Sequence, residues 1–244
     1  MNMNTKIAIL TVVALLSTLS FGQRKKDSYT VANYGEGKEG TTLTFHFEKG
    51  KRHNHPLMAI WLADEKGNYI QTLYVAESIG KGNFRRVDRS TGKWQAGEIQ
   101  RPATLPYWGH QRGIKNEFGN YLPTPREPVV DAYTGATPPG SFDFQLTTEK
   151  KLNGVYQVFM EINQSWDWNE YWFNDKFPGD RDYMTSSQPA IVYQASLDTR
   201  STTRKVVLKP VGRSHHAGKD GKLYTDLNTL TTAKEIVKIC EVSF

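Results

Sequence analysis

Seven short runs in this chain alternate between apolar and polar positions and are closed by Gly, Asn, Asp or Pro, and they set the tightest limit on its fold. The runs are Thr42 to Phe47, Leu57 to Ala63, Tyr69 to Val75, Ser141 to Thr147, Val155 to Ile162, Ile191 to Leu197 and Lys205 to Val211. A period of two places successive side chains on opposite faces, so each run has one face to bury against a partner sheet. The expectation is an all-β chain folded as an antiparallel β-sandwich. Lys66-Gly67-Asn68 supplies a tight turn between two of the runs and predicts a hairpin. Asn153-Gly154 repeats that device and predicts a second one. In the tail "TTAKEIVKICEVSF", Val and Ile favour a last strand over a short helix.

The segment 77–128 breaks this pattern, being rich in Gly, Pro, Arg and aromatic residues with little periodicity. It is a long irregular insertion, either functional or an elaboration over one end of the sandwich. Elsewhere the chain shows no repeat and no linker, so residues 23–244 read as one domain.

Residues 1–22 read as an export signal. Lys6 precedes an apolar run from Ile7 to Leu19, followed by Ser20-Phe21-Gly22 and the basic Arg24-Lys25-Lys26. The run is short for a bilayer span, which takes roughly twenty apolar residues. Cleavage after Gly22 predicts a periplasmic, soluble mature protein. The sole cysteine, Cys240, lies far from that site, so a lipoprotein anchor and an intrachain disulfide are both excluded. The formal charge of +6 falls to +5 when Lys6 leaves. Its cations are scattered and no nucleic-acid signature accompanies them, so the charge reads as solubility.

Candidate chemistry comes in three groups. His53, His55, His110, His215 and His216 are possible metal ligands, but no closed ligand set or His-Glu-x-x-His motif is present and no metal site is assigned. The stretch "NQSWDWNEYWF" crowds Trp166, Trp168, Tyr171 and Trp172 around Asp167 and Glu170. These rings either stack on a planar ligand or close one end of the core. Asp167 and Glu170 have no sequence partner that would raise either pKa, and no catalytic residue is assigned.

The third group is Asp131-Ala132-Tyr133-Thr134-Gly135-Ala136-Thr137. It resembles the signal of bacterial flavoproteins in which FMN is joined through its phosphate to a threonine hydroxyl. In that signal an Asp is followed by two variable residues, then Ser or Thr, Gly, Ala, and a final Ser or Thr. Asp131, Thr134, Gly135 and Ala136 fill the fixed places, and Thr137 stands at the acceptor. The resemblance implies a separate flavin transferase. On that resemblance the Thr137 hydroxyl would give up its proton and attack the FMN-side phosphorus of FAD, the new oxygen–phosphorus bond forming as the pyrophosphate bond breaks and AMP leaves. Gly135 and Ala136 keep the approach narrow, and Pro138 biases Thr137 toward an extended backbone.

"GNYIQTLYV", "RPATLPYWGHQRG", "VDAYTGATPPGSF", "WDWNEYW" and "KDGKLYTDLNTLTTAKEIV" together resemble the exported bacterial proteins grouped as the domain of unknown function 2271 family. That resemblance implies an immunoglobulin-like sandwich and an association with extracytoplasmic flavin transfer and membrane redox partners. Two functions are therefore expected. One is an electron carrier with FMN on Thr137, partly covered by the aromatics from Trp166 to Trp172 or by Trp108, that serves a membrane redox protein. The other is a non-catalytic module that binds a glycan, a cell-wall fragment or a protein partner.

Overall fold

The computed structural model describes residues 29–244 apart from 36, 88–90, 92, 93, 98, 99 and 131. The expected export signal at 1–22 lies outside the described residues. Two sheets face each other. The first contains five strands in the spatial order β1 (Tyr29–Tyr34), β8 (Ser141–Thr147), β2 (Thr42–Lys49), β13 (Val237–Ser243) and β11 (Lys205–Val207). The second contains six: β12 (Lys209–Arg213), β10 (Ile191–Asp198), β9 (Val155–Asn163), β3 (Leu57–Asp64), β4 (Tyr69–Ala76) and β7 (Tyr133–Gly135). This is the all-β sandwich expected from the alternating runs. Pairing is antiparallel throughout the interior, and two parallel pairs, β1 with β8 and β4 with β7, sit at sheet edges. Among the described residues no helix is long and apolar enough to cross a membrane.

The core between the sheets forms where the alternation predicts. Leu43, Phe45 and Phe47 of β2 and Phe142, Phe144 and Leu146 of β8 meet Met58, Ile60 and Leu62 of β3 and Val158, Met160 and Ile162 of β9. Each fully buried side chain of this size stabilises the fold by roughly 1.5–3 kcal/mol relative to exposure. The tail becomes β13, in register with β2 from Ser243 opposite Thr44 to Val237 opposite Lys49.

Two local expectations are corrected. The Asn153-Gly154 turn does not close a hairpin, because β8 and β9 belong to different sheets. The seven residues 148–154 arch from one sheet to the other, with Thr148 donating to the Lys150 carbonyl at 2.6 Å and Leu152 packed against the core. The run Lys205 to Val211 is likewise divided between β11 and β12, on opposite sheets. Leu208 makes the crossing, buried between them with its amide on the Cys240 carbonyl at 2.9 Å. A strand at a sandwich edge can change sheets where one side chain enters the core.

The insertion has structure of its own: α1 (Glu77–Gly80), a two-stranded ribbon of β5 (Phe84–Val87) and β6 (Trp94–Gly97), and α2 (Pro106–Arg112). It covers the outer face of the six-stranded sheet instead of one end of the sandwich. Ile79, Phe84, Leu105 and Trp108 form a second core there with Ala59, Trp61, Ala63, Val75 and Phe159. The central strands are therefore buried on both faces.

A strapped threonine beside an open cleft

The candidate segment begins as a strand. Tyr133, Thr134 and Gly135 form β7, paired in parallel with Tyr74, Val75 and Ala76 of β4. Thr134 and Gly135 are thus fixed in a strand, and only the residues after them form a turn. The cause is aromatic: the Tyr133 ring stacks on Tyr34 and on Tyr74 and holds the chain against the sheet edge. Gly135 is required because a Cβ there would meet the Tyr133 ring at 2.8 Å. The Thr134 methyl lies over Gly80, where a Cβ would come within 2.6 Å of it. Asp131 lies outside the described residues.

Beyond β7 the chain leaves the sheet. Ala136 is exposed and Thr137 half-buried. The turn is held on both sides of the threonine. The Tyr74 hydroxyl donates to the Gly135 carbonyl at 2.8 Å, and His53 Nε2 bonds the Pro138 carbonyl at 2.9 Å. Burial holds the His53 pKa below its ordinary value, which favours the neutral ring with its proton on Nε2. Between these anchors, Thr137 Oγ1 is buried and makes no hydrogen bond of acceptable geometry. It lies near enough to the Tyr74 phenol to oppose, after burial the largest influence, the rise in pKa that burial gives that phenol. An unpaired buried hydroxyl costs about 1–3 kcal/mol and calls for an explanation.

Thr137 lines a cavity of about 230 Å³ with His55, Leu57, Glu77, Ser78 and Ala136 among its walls. Those same five residues also line a cleft of about 1200 Å³ that continues to Phe84, Arg101, Gln164 and Trp166. The two cavities are contiguous. Two of the described non-glycine residues with positive φ, His55 at 50° and Trp166 at 67°, stand on the cleft wall. Such backbone strain recurs at binding sites, where the surrounding structure has to maintain it.

The aromatic stretch divides between the two roles open to it. Trp166 is 64 % exposed and faces the cleft. Trp168 is half-buried, packs against the main core edge-on to Tyr183, and is not part of the cleft lining. Trp172 is buried, with Nε1 on Thr229 Oγ1 at 3.2 Å. Trp108 cannot cover a ligand, since it is wholly buried in the second core with Nε1 on Thr72 Oγ1 at 2.9 Å. Asp167 also departs from expectation: burial raises its pKa, against a 2.5 Å bond from Thr232 Oγ1. Glu170 is exposed.

The histidines are dispersed. His55 stands on the cleft, and His110 Nδ1 bonds the Pro106 carbonyl at 2.8 Å. His215 and His216 stack on each other, and burial lowers the His216 pKa to about 4. Among the described residues no group of three or more His, Cys, Asp or Glu side chains is placed to hold a metal ion.

Two cations on the cleft escaped the sequence reading. Lys81 is paired with Glu77 at 2.7 Å. Arg101 lies over the Phe84 ring, 4.8 Å from its centroid, and its Nε is buried without an acceptor. Both residues sit in the aperiodic insertion, where nothing local marks them. Comparison of the chain with models of known families, with curated proteins and with solved structures finds no match in any of the three. The strapped threonine and the cleft beside it therefore carry the functional reading by themselves.

Proposed function

We propose that this chain is an extracytoplasmic electron carrier, exported to the periplasm, with FMN attached through its phosphate to Thr137. The observation that carries the reading is the convergence of two separate sequence features. The Thr134-Gly135-Ala136-Thr137 segment and the exposed Trp166 are about thirty residues apart in the chain, yet Ala136 and Trp166 line one cleft. Bound FMN would supply reversible one- and two-electron transfer. The residues present fit that group. Thr137 Oγ1 is a hydroxyl without a partner, the adjoining cleft is large enough for a planar cofactor, and its wall offers a ring and a cation. Thr137 would hold the phosphate, Trp166 would shelter the ring, and Trp168 would support Trp166 edge-on at 6.5 Å. Modification requires the threonine to turn about χ1 or the strap to open, because Oγ1 is buried. The partners on this reading are a flavin transferase and a membrane redox protein.

Burial of Oγ1 favours a second reading, a module that binds an unlinked ligand in the same cleft and transfers no electrons. Intact mass separates the two. Protein from its native periplasm, or co-expressed with an active transferase and FAD, should exceed the processed polypeptide by FMN less one water. Thr137→Val should abolish the increment. An unmodified wild-type mass under those conditions rejects the carrier.

A further inference from the structure

Arg101 is the least compensated charge on the cleft. Its neighbour Lys81 already has a carboxylate, Glu77, at 2.7 Å. No carboxylate among the described residues pairs with Arg101. Burial alone pushes its pKa down, with no opposing contribution from an acidic group. The Phe84 ring, itself buried, braces one face of the guanidinium. A cation held this way is costly to desolvate, and its Nε–H adds an unmet donor. Natural proteins hold such a group where an anion arrives to meet it. Arg suits the task because its planar fork keeps its in-plane donors while one face rests on an aromatic ring.

Trp166 supplies an independent observation. It lines the same cleft with 64 % of its surface exposed, and its backbone is held at a φ of 67°. An exposed indole held in a strained backbone on the same cleft as a charge without a counter-ion is a stacking surface within reach of an anion site. We infer that the cleft takes a planar aromatic ligand carrying a negative charge, with Arg101 binding the anionic group and Trp166 stacking on the ring. The identity of the natural occupant, the flavin tethered at Thr137, rests on the function proposed above. The recognition itself is a property of the cleft and needs no covalent link.

Mature protein produced without the transferase tests this directly. Free FMN, riboflavin and inorganic phosphate are titrated while tryptophan fluorescence and heat are followed. FMN should bind at least tenfold more tightly than riboflavin, and the difference should shrink as salt is raised. Arg101→Gln should remove the advantage of FMN and leave riboflavin within twofold. Trp166→Ala should weaken both ring ligands about tenfold and leave any phosphate binding unchanged. Lys81→Gln should leave FMN within twofold, because that lysine is already paired. Arg101→Lys, which keeps the charge but loses the planar fork, should lie between wild type and Arg101→Gln; it also serves if Arg101→Gln fails to fold. Equal binding of FMN and riboflavin overturns the inference, as does an equal loss in Lys81→Gln and Arg101→Gln, or no binding of either ring. None of these outcomes bears on the mass increment at Thr137, so the two readings fail separately.

Discussion

Helix α2 has no capping side chain of its own. Leu105 precedes it, Pro106 opens it, and the amides of Tyr107 and Trp108 reach instead across to β9, where Glu161 accepts them at 3.2 and 2.7 Å. Glu161 is wholly buried on the outer face of the six-stranded sheet and ties the insertion to it. Burial raises its pKa to about 8, against the opposing pull of the two amides and of Ser214. The folded state therefore keeps a proton that the unfolded chain, with an ordinary value of 4.5, gives up. The resulting stability is fully present below about pH 4.5 and is lost as pH rises toward 8. Across that interval the contribution is on the order of 3–5 kcal/mol, at about 1.4 kcal/mol per pH unit.

Glu161→Gln isolates this contribution. Its amide is neutral at every pH and keeps one acceptor, but its NH₂ faces the second backbone amide, a pH-independent cost of about 1–3 kcal/mol. His216 acts with the opposite slope. Its pKa is depressed to about 4, so its stability is present above 6.5 and lost as pH falls. That background is common to both proteins and cancels in the difference. Urea unfolding followed by tryptophan fluorescence at pH 5, 6.5, 8 and 9 should show the wild type ahead by at most about 2 kcal/mol at pH 5, losing about 3–4 kcal/mol relative to Glu161→Gln between pH 5 and 8, and less stable than the variant at pH 8 and 9. Parallel stability curves for the two proteins would refute the reasoning, because they would mean that Glu161 holds the same charge folded and unfolded.

Trp172→Ala should cost about 3–5 kcal/mol in urea, as a buried ring does, while Trp166→Ala should cost less than about 1 kcal/mol because that ring already faces solvent. Equal costs would return Trp166 to the core. Thr137→Val in unmodified protein should be neutral or raise stability by up to about 1–2 kcal/mol, since it replaces an unpaired buried hydroxyl with a methyl; a loss of similar size would show that Oγ1 has a partner in solution.

The sandwich core was legible because alternation is a local signal, and Phe45, Phe142 and Ile60 each fall on the face their spacing assigns. Which strand lies beside which was not. An Asn-Gly pair announces a change of direction, but the choice between hairpin and arch at 153–154 is made by the sheet that receives β9. The second core was hidden for a related reason. In "LMAIWLAD" both faces are apolar, and the covering insertion buries isolated anchors such as Ile79, Phe84 and Trp108 with no period to detect. Glu161 and Arg101 were hidden still more completely. Each is a single ionisable side chain whose meaning depends on groups far off in the chain; the amides that Glu161 caps lie 53 and 54 positions away.

The burial of Thr137 Oγ1 and its proposed role as an acceptor are reconciled by the two bonds that flank it. While Tyr74 holds the Gly135 carbonyl and His53 the Pro138 carbonyl, the segment is pinned on both sides and the hydroxyl stays inside. If modification goes by opening of the strap, a transferase would act only on the opened fraction of molecules, and its rate would follow the local opening free energy. Tyr74→Phe removes one anchor and keeps the ring, which packs 4.9 Å from Phe144 and belongs to the buried core. The lost bond is worth about 1 kcal/mol, so the opened fraction should rise about fivefold. With purified transferase and FAD, the initial rate of mass gain should increase by that factor while the final extent stays at one FMN per chain. If Tyr74→Phe is less stable than wild type yet is modified no faster, the acceptor is reached without opening the strap, and the turn of Thr137 about χ1 alone exposes its hydroxyl.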